Sequence, residues 1–104
     1  MRALTEKGLK QRTQDKIIIL FRADWCPFCR KFKPLFDSYE RKTTIQLAEA
    51  VIDNEDDPLW DEYNIKIVPT MIAFRNGQPI ARRDGIAGMG LSRDDIDSLL
   101  KEIS

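Results

Sequence analysis

The sequence predicts an α/β fold in three layers, with helices on both faces of a central mixed sheet that has a parallel βαβ half and an antiparallel hairpin half. Three observations predict it. Ile17, Ile18, Ile19, Leu20 and Phe21 form a short run rich in β-branched residues, as a strand buried on both faces requires, and Leu47 to Ile52 form a second. Between the two runs Phe28, Phe32, Leu35, Phe36 and Tyr39 recur at helical spacing, so strand, helix and strand follow one another as in a right-handed parallel crossover. Asn76-Gly77 then divides Met71–Arg75 from Ile80–Arg83, the signal for a tight turn between antiparallel strands.

Taken in order, Leu4 to Thr13 reads as a weak helix, with Thr5 as its N-cap and Gly8 lowering its propensity. The first strand is expected over Lys16–Arg22. The helix that begins near Phe28 carries Arg30, Lys31, Lys33 and Asp37 on its polar side. Pro34 inside it lacks the N–H needed for the helical ladder, which predicts a kink. The second strand ends in the acidic turn Asp53–Asp57, and a short helix follows around Leu59–Tyr63. After the hairpin, Ser92 with Asp95 three residues later makes a capping-box start for an amphipathic helix carrying Ile96, Leu99, Leu100 and Ile103. No repeat or linker interrupts the 104 residues, so a single domain over 1–104 is expected.

Seventeen basic residues balance seventeen acidic ones, and this even balance argues against nucleic acid or an anionic membrane as partner. No stretch approaches the roughly 18 apolar residues of a membrane span. The opening Met1–Lys16 is polar and charged without an apolar core, and a cytoplasmic monomer is the expectation.

Chemistry concentrates in Trp25-Cys26-Pro27-Phe28-Cys29-Arg30, where a buried strand gives way to a helix. The unpaired N–H groups and the positive dipole end of that helix stabilise an anion, which makes Cys26 the attacking thiolate. Cys29, one turn further in and more buried, is spaced to resolve the mixed disulfide that Cys26 forms. A closed zinc site needs about four nitrogen or sulfur ligands, and the chain has two cysteines and no histidine, which leaves only a metal or iron-sulfur cluster shared between two chains as a metal alternative. Trp25 suits an exposed contact face beside the thiol, with half-buried packing as the alternative. Phe28 begins the apolar stripe of its helix. Arg22, Arg30, Lys31 and Lys33 read first as a solvated basic face, and second as a cluster that assists thiolate formation or docks an acidic partner.

From about Lys16 onward the chain resembles the thioredoxin family. The resemblance rests on the strand leading into Ala23-Asp24-Trp25-Cys26, on Pro34, on Asp53 at the end of the second strand, on Tyr63-Asn64-Ile65 leading to Val68-Pro69-Thr70, and on Phe74-Arg75-Asn76-Gly77 followed by Gly85. It implies a thioredoxin-like fold and thiol-disulfide exchange on protein substrates, in the service of electron transport and cell redox homeostasis. No bound cofactor is implied beyond the redox-active Cys26-Cys29 pair, and a separate reductase or small thiol supplies the electrons. It also implies a cis Pro69 facing the cysteines and a Val68 backbone that pairs with an extended substrate segment.

Departures from the family pattern leave two alternatives open. Pro27-Phe28 between the cysteines is closer to glutaredoxins, which suggests a glutathione-coupled reductase. A non-enzymatic binding module whose cysteines sense oxidation is the other. Leu20 stands where thioredoxins keep a buried proton-accepting aspartate and Glu49 where they keep a buried lysine, while an insertion remodels the loop Ile86–Leu91. Glu49 is either a solvated edge residue or, if Leu47, Glu49 and Val51 share a face, a partly buried acceptor for the Cys29 proton.

Overall fold

The computed structural model describes residues 15–104, so the expected helix over Leu4–Thr13 lies outside the described residues. Strand β1 (Ile17–Arg22) leads through a turn closed by the bond from Cys26 N to Ala23 O into helix α1 (Pro27–Ser38), which a short 3₁₀ turn at Tyr39–Arg41 extends. Strand β2 (Gln46–Val51), helix α2 (Pro58–Glu62), strand β3 (Thr70–Arg75), strand β4 (Gln78–Asp84) and helix α3 (Arg93–Ile103) follow.

The four strands form one sheet in the order β2-β1-β3-β4, with β1 and β2 parallel and the remaining neighbours antiparallel. This is the mixed sheet that the sequence predicts. Its antiparallel half begins at the centre, because β3 runs opposite to β1 as well as to β4. At the hairpin, Asn76 and Gly77 both take positive φ, 54° and 77°, the conformation a two-residue turn needs to match strand twist.

Alternation along β1 divides the core. Ile17, Ile19 and Phe21 face α2 together with Ala48, Ala50, Ile72 and Phe74, and the Tyr63 ring packs against both Phe21 and Phe74. Ile18 and Leu20 face the other way, onto Phe32 and Phe36 of α1 and onto Ile96, Leu99 and Ile103 of α3. Every residue from Ile17 to Phe21 is fully buried, which explains why the run shows no polar alternation.

The starts of the site-bearing helix and of the last helix are set by local chemistry. Pro27 occupies the first turn of α1, where its missing N–H costs nothing, and Pro34 lies inside the helix as expected. At the start of α3 the Asp95 carboxylate accepts from the Ser92 N–H at 2.8 Å, the predicted capping contact. Between β4 and α3, residues 86–90 form a small closed excursion. Ile86 and Gly90 exchange backbone hydrogen bonds of 3.1 and 2.8 Å across its neck, and Met89 at its tip is 72% exposed. No helix among the described residues is long and apolar enough to cross a membrane.

Candidate active site

Cys26 is the N-cap of α1, held in extended geometry at the junction of β1 and the helix. Its N–H donates to Ala23 O at 3.2 Å, and its carbonyl receives the first helical bond from Arg30 N at 3.2 Å. The sulfur takes the role that a serine or aspartate oxygen takes at other helix starts, accepting from the Cys29 N–H at 3.2 Å. A negative sulfur there gains from that donor and from the helix dipole.

Both cysteines are free thiols and both are buried, Cys29 slightly more than Cys26. Burial pushes the Cys29 thiol up to about 12, with its hydrogen bond to the Cys26 sulfur adding to the rise, while the Ala23 backbone and the Arg22 charge pull it down. Cys29 therefore holds its proton well above neutral pH.

Opposite them, the Val68-Pro69 bond is cis, and Val68 O lies 3.4 Å from Cys26 Sγ as the thiol's acceptor. Gly85 presses on the same segment: a Cβ there would lie 2.5 Å from Pro69 O. Trp25 is 56% exposed beside the thiol, and its indole N–H donates to Asp53 O at 2.9 Å, which fixes the ring at the surface. The Asp53 carboxylate in turn accepts from the Asp24 N–H at 2.6 Å, tying the approach to Cys26 to the end of β2. Phe28 is only partly buried, and Gly90 of the closed excursion sits so close that a Cβ would lie 2.9 Å from the Phe28 Cβ.

Two hollows of mixed lining flank this segment. One, of about 320 Å³, lies between Trp25, Glu55 and Trp60. The other, about 300 Å³, runs between the Phe28 side of α1 and the tip of the excursion, with Phe32, Leu35, Met89 and Leu91 in its wall.

Glu49 is buried, on the face of β2 that Leu47 also uses, turned toward α1. Its two oxygens each accept from Arg22, Nε and Nη2 both at 3.2 Å, and Lys33 of α1 stands 3.7 Å away. Arg22 also donates to Asp24 at 2.6 Å. Glu49 and then Asp24 thereby stabilise the charged guanidinium, which overcomes the opposing effect of burial. The first reading of Arg22 as part of a solvated helix face is corrected here: its side chain is 13% exposed, because it belongs to the strand and not to the helix that supplies Arg30, Lys31 and Lys33. Its pairing with Glu49 is visible only once the register Leu20 to Glu49 and Arg22 to Val51 is known. Among the described residues no group of three or more histidine, cysteine or carboxylate side chains is arranged to hold a metal ion.

A sequence profile of the family described as Thioredoxin matches residues 3–102. A thioredoxin of Chlamydia caviae is 28% identical over 89 residues, covering 85% of this chain and 79% of that protein. The bifunctional thioredoxin reductase/thioredoxin of Mycobacterium leprae is 27% identical over 89 residues; the match covers 85% of this chain but only 19% of that longer protein. In three dimensions the Plasmodium falciparum thioredoxin superposes with a TM-score of 0.83 at 19% identity, covering 100% of both chains, which shows the fold.

Proposed function

The chain belongs to the thioredoxin family, whose fold and sequence support thiol-disulfide oxidoreductase activity, and from that premise we propose that it reduces protein disulfides, with Cys26 as nucleophile and Cys29 as the resolving thiol. One observation carries the reading: the buried Cys26 sulfur caps the helix, between the Cys29 N–H and the Val68 carbonyl, next to the exposed Trp25.

The Cys26 thiolate attacks one sulfur of a substrate disulfide, forming a bond to it and releasing the other as thiolate. An extended substrate segment would lie along Val68 and Pro69 by backbone pairing, with Trp25 as an apolar contact. Deprotonated Cys29 then attacks the Cys26 sulfur. The Cys26-Cys29 bond forms, the bond to substrate breaks, and two electrons have passed from the dithiol to the substrate. Because both Glu49 oxygens already accept from Arg22, the reading gives the Cys29 proton to water and keeps Glu49 as the partner of Arg22. No metal or other cofactor takes part. A separate reductase or a small thiol restores the dithiol, and a reducing setting such as the cytoplasm suits the cycle. The M. leprae relative, named as a reductase joined to a thioredoxin, supports the former donor.

Pro27-Phe28 favours glutathione coupling as the second reading. Two variants test the first. Cys29→Ser is expected to accumulate a mixed disulfide on Cys26 when mixed with oxidised insulin, and Cys26→Ser is expected to neither trap nor turn over. Mass spectrometry identifies the modified sulfur, and an adduct seen only on Cys29 overturns the assignment. Turnover supported by glutathione but not by a dithiol or a thioredoxin reductase would move the protein to the second reading.

A further inference from the structure

Trp25 and Trp60 lie far apart in the sequence, and the turn that follows β2 brings them together. The Trp25 indole N–H donates to Asp53 O at 2.9 Å, and the Trp60 indole N–H donates to the next carbonyl, Asn54 O, at 3.1 Å. The turn itself is closed by bonds from Asp57 N to Asn54 O at 3.0 Å and from Asp56 N to Asn54 Oδ1 at 2.9 Å. Trp60 rests on the core, whereas Trp25 is 56% exposed. Both rings are thus fixed by their N–H edges. The hollow of about 320 Å³ that they form with Glu55 is offered ring carbon and one carboxylate, with neither indole N–H left over.

That lining selects one kind of occupant. Aromatic faces attract a cation through the ring quadrupole, and a long basic side chain lays its methylenes on a ring while its charge meets a carboxylate. An anion finds no indole donor there and is repelled by Glu55. Structural roles account for Asp53, which accepts from the Asp24 N–H, and for Asp57, which caps α2 through the Leu59 N–H. Glu55 is exposed, and no residue among the described ones pairs with it. The surroundings carry the same sign: six of residues 53–62 are acidic, and no lysine or arginine occurs between Lys42 and Lys66, although the whole chain is electrically balanced. The electrostatic complement of this face is a basic segment.

We propose that the hollow between Trp25, Glu55 and Trp60 is a subsite for a cationic side chain, lysine or arginine, of the disulfide substrate, and that the protein prefers substrates carrying a basic residue close to the cysteine that Cys26 attacks. The inference rests on the exchange mechanism above and names the substrate class for it. One wall of the hollow belongs to Trp25, the residue directly before the nucleophile. Three residues of an extended substrate span roughly 10 Å, so the basic residue is placed within about three positions of the attacked cysteine.

Disulfide-linked homodimers of one synthetic peptide, with lysine, norleucine or glutamate placed in turn at each position near the cysteine, test this directly. The second-order rate constant for reduction by the reduced protein is divided by that for dithiothreitol, which removes the effect of the neighbour on the disulfide itself. At the best position lysine is expected to react about tenfold faster than norleucine, with glutamate slowest. Glu55→Gln and Trp60→Leu are each expected to cut the lysine advantage to about threefold while leaving the norleucine rate within about twofold. A lysine peptide with serine in place of cysteine is expected to shift the indole N–H signals of Trp25 and Trp60 in NMR titration, and less so in Glu55→Gln. Equal rates for lysine and norleucine overturn the proposal. A lysine advantage that neither variant reduces overturns it as well, since the acidic face then acts only at long range. Failure to reduce any peptide, with the indole shifts retained, would instead overturn the exchange mechanism and support the subsite.

Discussion

Replacing Gly85 by alanine should loosen the segment that faces the thiols. The added Cβ would lie 2.5 Å from Pro69 O, with Pro69 C and Cδ both at 3.6 Å, so a single backbone oxygen makes the clash. Ordinary carbon-oxygen contact is about 3.3 Å, which asks the two backbone segments to part by about 0.8 Å. Gly85 is not among the residues with positive φ, so the backbone conformation itself suits alanine and the cost is steric. Neither side yields easily: Pro69 precedes Thr70, which is registered against Asp84, the residue before Gly85. Overpacking of this kind costs about 1–3 kcal/mol. For a domain of this size that lowers Tm by roughly 5–20 °C. The same displacement moves Val68 O away from its 3.4 Å contact with Cys26, so insulin reduction should fall with stability. Calorimetry and turnover at a temperature where the variant is still folded measure the two effects. A Gly85→Ala protein with unchanged Tm and unchanged turnover would refute the steric argument.

The buried ion pair makes a second prediction: Glu49→Leu strands most of the Arg22 charge and should cost about 3 kcal/mol in urea unfolding. Arg22→Leu with Glu49→Leu should recover nearly all of it, and equal losses in the single and double variants would show that the pair is not coupled. Cysteine labelling supplies a third. Because Cys29 is pushed up to about 12, it stays protonated far above neutral pH. Iodoacetamide should therefore modify one sulfur, Cys26, from about pH 7 to about pH 9, with Cys29 reacting only as the pH approaches its own value. Peptide mapping that finds both cysteines modified at about pH 7 would contradict it.

Much of this architecture is legible in the residues because the signals are local. Ile17–Phe21 favours a buried strand by its length and β-branched content, Asn76-Gly77 suits a turn with positive φ, and Ser92 with Asp95 cues a helix start. The cysteine pair is legible for the same reason, since the strand before it and the helix after it fix where it sits. Arg22 and Glu49 are 27 residues apart, and nothing near either one announces the other. Their meeting depends on parallel register, in which a slip of one residue would turn Glu49 to the opposite face. Arg22 also stands close in sequence to Arg30, Lys31 and Lys33, and that run disguises a strand residue as part of a helix surface. Long-range pairing of charges is thus the information that the local pattern does not hold.

The closed neck between Ile86 and Gly90 has a consequence for how this protein can diversify. The backbone bonds across it complete the excursion within itself, so β4 ends and α3 starts on either side without depending on what lies between. Doubling the length of such a loop costs only about 0.6 kcal/mol in closure entropy. Residues can be exchanged at Ala87 and Met89, Gly88 being held by its positive φ of 80°, while the sheet, the capping contact at Ser92 and the two sulfurs keep their places. The tip stands beside the Phe28 hollow, so each such change alters what meets an incoming partner first. Variation at those two positions thus reshapes the rim of the hollow and leaves the cysteine pair as it is.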